Sequence, residues 1–249
     1  MEQGMIHALI LDGKGGAKFL NATQAANWTP EQGQLWLHLD YSVYDTKEWL
    51  FHESGLDISV AETLMSSESR PRFTLMDEGV LLAWRGVNKN AEADAVDDLV
   101  ALRLWKDEHR LITTRQRKFN AVNKIVADLN MGKGAKDLGE LLVFLADTMV
   151  WEISELIDEI EDTMGAMEER VLDEGNMSLR STISSLRRQV ISIRRYIAPQ
   201  KEALIRFSTE KLDWIGSEGS KELREVVDRI TRALEDLEAL RERAAVAQE

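Results

Sequence analysis

A zinc site in this chain has to be built from histidine and carboxylate, because its 249 residues include four histidines and no cysteine. His38 and Asp40 are the best-spaced pair. They stand two apart on a predicted strand and so point to one side of it, a workable bidentate spacing. His52-Glu53 and Asp107-Glu108-His109 form further local clusters near helix or turn ends. None repeats a recognised ligand motif, and for each a structural or merely exposed role stands beside weak metal binding. A hydrolase built on His38 and Asp40 lacks the additional ligands and the base that metal-assisted hydrolysis needs. Gly13-Lys14-Gly15-Gly16 lacks the spacing of a phosphate-binding loop and reads as a hairpin turn. No catalytic constellation emerges, so neither an enzyme nor a bound cofactor is expected.

Carboxylates are the other supply of ligand oxygens. The net charge of −13 argues against nucleic acid as a partner and makes cations the more natural company, although acidity also serves solubility. With 44% apolar and 30% charged residues the composition is that of a well-cored soluble protein. The absence of cysteine excludes disulfides and agrees with a reducing compartment. Met1 to Gly4 lacks the order of a signal peptide, and no apolar run approaches the ~18 residues that cross a bilayer. The chain as it stands is expected to be soluble.

The elements that must position these groups change character near residue 130. Before it, β-like runs dominate at Ile6 to Leu11, Leu35 to Leu39, Val80 to Trp84, Leu99 to Trp105 and Arg110 to Thr114. Residues 99 to 114 form the clearest hairpin, around Lys106-Asp107-Glu108-His109. Helices are predicted at Asp45 to Glu53, with Asp45 or Thr46 as N-cap, at Ile58 to Met65 and at Phe119 to Leu129. Residues 1 to 130 thus read as an α/β domain, with a mixed or largely antiparallel sheet flanked by helices.

From about Ala135 the pattern is helical. Leu138, Leu142, Leu145, Met149, Ile153, Leu156, Ile160, Met164, Met167 and Val171 recur at steps of three and four, while the other faces are acidic. After the Asp173-Glu174-Gly175-Asn176 turn a basic helix carries Arg180, Arg187, Arg188, Arg194, Arg195, Lys201 and Arg206. An acidic helix turning into a basic one predicts a long antiparallel hairpin over 135 to 215, with opposite charges facing across the pair. Pro199 is expected to kink or break its second helix.

A last helix, 218 to 249, shows Leu223, Ile230, Leu237 and Ala244 at seven-residue steps, flanked by Val226, Val227, Ala233, Leu234 and Leu240. No Gly, Asn or Pro closes it before Glu249, which predicts a longer helix continuing downstream. Its opposite face carries Glu225, Asp228, Arg232, Glu235 and Glu242. A soluble coiled-coil scaffold or adaptor explains the amphipathicity but not the unfinished end.

This order of elements resembles the cytoplasmic part of the CorA superfamily of divalent-cation transporters, and more finely its zinc-associated ZntB branch. The resemblance runs through Leu35-Trp36-Leu37-His38-Leu39-Asp40, Arg70-Pro71-Arg72, Arg85-Gly86-Val87-Asn88, Asp98 to Trp105, Arg110 to Arg115 and Arg194 to Gln200. It implies a homopentameric funnel on the cytoplasmic side of the bacterial inner membrane, with the last helix as a stalk lining the passage to two membrane helices. Those helices, and the Gly-x-Asn pore signature at the end of the first, are missing here. Gly86-Val87-Asn88 has the same letters but follows a soluble strand and reads as a strand-to-loop turn. The chain alone is therefore expected to be transport-incompetent. Glu225, Asp228, Glu235 and Glu242 become candidate cation-attracting residues, with His38 and Asp40 next, and zinc or magnesium as the carried ion. If the basic side chains and Arg232 turn inward, the funnel holds chloride instead.

Overall fold

Short apolar runs bounded by turn residues form the main strands. The computed structural model describes residues 2–67, 70–90, 98–174 and 177–246, with backbone only across 171–174 and 177–179. The strands are β1 (Met5–Leu11), β2 (Ala17–Phe19), β3 (Leu35–Asp40), β4 (Arg72–Met76), β5 (Gly79–Val87), β6 (Leu99–Lys106) and β7 (Arg110–Arg115). They form one seven-stranded sheet in the order β2-β1-β3-β7-β6-β5-β4. Only β3 and β7 run parallel; every other neighbouring pair is antiparallel, so the sheet is mixed.

Helices cover both sheet faces, which explains why the central strands are nearly continuously apolar. Short helices α1 (Ala22–Ala26), α2 (Tyr44–His52) and α3 (Ile58–Leu64) lie with one face, where Ile10, Leu35, Leu37, Trp105 and Ile112 pack with Leu50, Val60, Ala61 and Leu64. The other face receives α4 (Asn120–Asn130) and the long helices α5 (Leu138–Glu174), α6 (Met177–Thr209) and α7 (Ser217–Val246). One apolar cluster runs from Trp36, Leu82, Trp84 and Leu104 through Leu142, Met149 and Ile153 to Ile193, Ile197, Ile230 and Leu237. Among the described residues no helix is long and apolar enough to cross a membrane.

The Gly13 to Gly16 segment is the β1–β2 turn, with Gly13 at φ 73° and Gly15 at φ 99°. Asp12 fixes it by accepting from the backbone N–H groups of Lys14 and Gly16. Several expectations need correction. Helix α2 starts at Tyr44 behind Val43, not behind Asp45 or Thr46; the Thr46 side chain is buried where Gly4 passes so closely that a Cβ there would collide with it. Gly86 and Val87 make no turn but continue β5, paired with Val100 and Leu99 of β6, and the bare Gly86 Cα leaves room for the Phe119 ring, which would lie 2.5 Å from an added Cβ. Pro199 does not break α6, which continues to Thr209. Strands β2 and β4 escaped the sequence reading, being short and mostly exposed. The turn at Gly175-Asn176 and the chain end beyond Val246 lie outside the described residues.

Helix α6 is held to the sheet beside Pro199 by the fully buried Gln200. Its Oε1 accepts from the Arg85 backbone N–H at 2.6 Å and its Nε2 donates to the Arg85 carbonyl at 2.9 Å. Strand β4 pairs with β5 only as far as Ala83, so this side chain takes up hydrogen bonds that the edge strand does not reach. That anchor and burial against both neighbouring helices account for helix continuity through the proline.

Candidate functional site

Helix α7 divides cleanly into a buried and an exposed face. Leu223, Val226, Ile230, Ala233, Leu237, Leu240 and Ala244 are buried, with α5 and α6 packed against the helix. The apolar stripe is thus largely used within the chain. Glu225, Asp228, Arg232, Glu235 and Glu242 are all exposed. Asp228, Glu235 and Glu242 follow at seven-residue steps and form one row, each about 10 Å along the axis from the next. Carboxylates so far apart cannot chelate one ion within a single chain. No group of three or more His, Asp or Glu that could hold a metal occurs among the described residues. What the row supplies is a field.

The buried stripe sets the rotation of α7, and ion pairs flank it on both sides. Arg229 reaches Asp147 of α5 at 2.6 Å and lies over the Trp151 ring at 4.1 Å. Farther along, Arg243 bridges Glu161 at 3.1 Å and Glu168 at 2.7 Å, and Glu238 accepts from Arg194 of α6 at 2.8 Å. The acidic and basic helices of the hairpin therefore both find countercharges on α7, which the reading of the hairpin as a self-paired unit did not foresee. Acids crowd the α5–α7 seam. Partial burial, with Glu161, Asp158 and Glu235 nearby, raises the pKa of Asp236; partial burial, with Asp147, Glu218 and Glu140, does the same for Glu222.

Replacement of Arg243 by Ala is expected to lower stability by about 0.5–1 kcal/mol at low salt, the scale of a partly exposed ion pair. Urea unfolding of wild type and variant measures it. The difference should shrink as salt is raised, and an equal loss at high salt would assign the effect to packing of the side-chain stem.

His38 and Asp40 are engaged elsewhere. His38 is 1% exposed, and its Nε2 accepts from Arg115 Nε at 3.2 Å. Its proton therefore sits on Nδ1 and is donated to Thr113 Oγ1 at 2.8 Å. That hydroxyl also accepts from Trp36 Nε1 and donates to the Leu37 carbonyl. Burial, then Arg115 and His7, hold the His38 pKa well below 6.5. Asp40 closes a turn after β3 by accepting from the Ser42 N–H and hydroxyl. The Asp107 cluster is likewise a turn, with Asp107 accepting from the backbone of His109 and Arg110.

The comparisons with known proteins agree with one another. A family model described as CorA-like Mg2+ transporter protein matches residues 31–249. The full-length CmaX protein is 33% identical with TM-score 0.90, over 100% of this chain and 76% of that one. The ZntB cytoplasmic domain from Vibrio parahaemolyticus RIMD 2210633 is 25% identical with TM-score 0.83, over 98% of this chain and 95% of that one. The soluble domain of CorA from Methanocaldococcus jannaschii shares the fold, with TM-score 0.80 at 14% identity over 98% of this chain and 96% of that one.

Proposed function

As the chain belongs to the CorA-like Mg2+ transporter family, we propose that it is the cation-gathering soluble part of a transporter, with zinc as the ion carried. The carrying observation is the exposed carboxylate row on α7, held outward by a fully buried opposite stripe. In a pentamer with α7 about the axis, copies of Glu225, Asp228, Glu235 and Glu242 would face one passage and concentrate divalent cations there. Arg232 on the same face limits that field and offers chloride a place. Zinc is favoured over magnesium by the higher identity to the ZntB domain, 25% against 14% for the CorA domain. The passage would stand on the cytoplasmic side of the inner membrane, with α7 leading into membrane helices.

Zinc uptake by proteoliposomes carrying the product of the whole natural reading frame tests this reading. Uptake of magnesium but not zinc would reassign the ion, and uptake of neither would defeat transport. On the soluble chain at high concentration, zinc or magnesium should raise the melting temperature of the oligomer by relieving like-charge repulsion. The double substitution Asp228→Asn, Glu235→Gln should remove most of that rise. An unchanged rise would make these carboxylates an ordinary solvated helix back.

A further inference from the structure

The most anomalous charge in the molecule is Arg103. It is 1% exposed on β6, and no carboxylate among the described residues pairs with it. One Nη donates to the Ser67 carbonyl at 3.3 Å, the guanidinium lies over the Tyr41 ring at 4.9 Å, and its buried Nε has no partner. A buried cation lacking a counterion is costly, and an orphaned donor on it adds to that cost.

The side chain borders a cavity of about 130 Å³, also lined by Tyr41, Ser67, Arg85, Gln116 and Arg117, with no acid among the described residues of its lining. Its place in the sheet is informative. Tyr41 follows β3 and Gln116-Arg117 follow β7, so the cavity opens beyond the carboxyl ends of the one parallel pair, where open sheets commonly bind ligands. Tyr41 donates to Gln116 Oε1 at 3.3 Å, which fixes the rim. Guanidinium groups supply planar forks of donors suited to oxyanions.

We propose that this cavity is a binding site for a small oxyanion of the phosphate class, with Arg103 as its buried anchor and Arg117 as its exposed clamp. The site is separate from the α7 carboxylates and does not depend on the transport reading. Burial, and the neighbouring Arg85, lower the Arg103 pKa, the direction expected where a positive pocket awaits a negative guest.

The test is a thermal-shift and calorimetric titration of the soluble chain with inorganic phosphate and, in parallel, sulfate, against chloride at equal ionic strength. Phosphate should raise the melting temperature saturably in the wild type and chloride should not. Arg117→Ala, at an exposed position that the fold does not need, should weaken phosphate binding at least tenfold. Arg103→Met should abolish the phosphate shift while folding as well as the wild type, since it exchanges an unpaired buried charge for an apolar stem. Equal shifts with chloride, or an undiminished phosphate affinity in Arg117→Ala, would overturn the site. So would a phosphate shift that persists in Arg103→Met.

Discussion

Replacing Gln200 with Leu should cost the fold roughly 2–4 kcal/mol, the largest loss expected from any single polar side chain described above. The leucine is similar in size but offers nothing to the Arg85 N–H and carbonyl, which Gln200 meets at 2.6 and 2.9 Å. Both groups lie where the Gln200 side chain is 0% exposed, so water replaces the lost bonds poorly. The loss should appear as a lower urea midpoint with unchanged slope, because the surface exposed on unfolding stays the same. A loss under about 0.5 kcal/mol would mean that burial, not this pair of bonds, carries α6 past Pro199.

Acid should weaken the protein well before its carboxylates titrate. His38 is neutral and buried in the folded chain, with a pKa well below 6.5, whereas the unfolded chain protonates it at its ordinary value. Between about pH 6.5 and the depressed folded value the unfolded state binds the extra proton, so stability falls as pH falls, by up to about 1.4 kcal/mol per pH unit. His7, stacked on His38 at 6.1 Å and also lowered by burial, steepens the same slope. Glu222 and Asp236, whose pKa values are raised, act in the opposite direction at lower pH. His38→Leu should be less stable than wild type at pH 8, because the Thr113 network loses a member, yet its dependence between pH 6.5 and 5 should be flatter by about one proton. Parallel curves for the two proteins would refute the assignment.

The division of α7 into buried and exposed faces was legible in the sequence, because a helix repeats every 3.6 residues and its neighbours need only one stripe. The main strands were legible for another reason: covered on both faces, they read as short apolar runs bounded by turn residues. What escaped were choices made between distant segments. Thr113 lies 75 residues from His38, and only the parallel pairing of β3 with β7 brings them together. Nothing local distinguishes Arg103 from an outward-facing strand arginine; Tyr41 and Ser67, supplied by other segments, bury it. The acidic helix likewise suggested the next basic helix as its partner, yet its described ion pairs run to Arg229 and Arg243 of α7 and to Lys89 beyond β5. A charge pattern states that a partner is needed, not which neighbour wins the competition.

The salt-bridged packing of α7 also has a mechanical side. Arg229 and Arg243 lie fourteen residues apart and tie α7 to α5 near its middle and near its C-terminal end, while Arg194 and Glu238 tie it to α6. A 30-residue helix is about 45 Å long, so a tilt of about 5° about one end carries the other through about 4 Å. Held by its buried stripe and flanked by these pairs, α7 pivots together with α5 and α6. Torque applied at its far end is delivered to α5, α6 and the sheet behind them as a single lever arm.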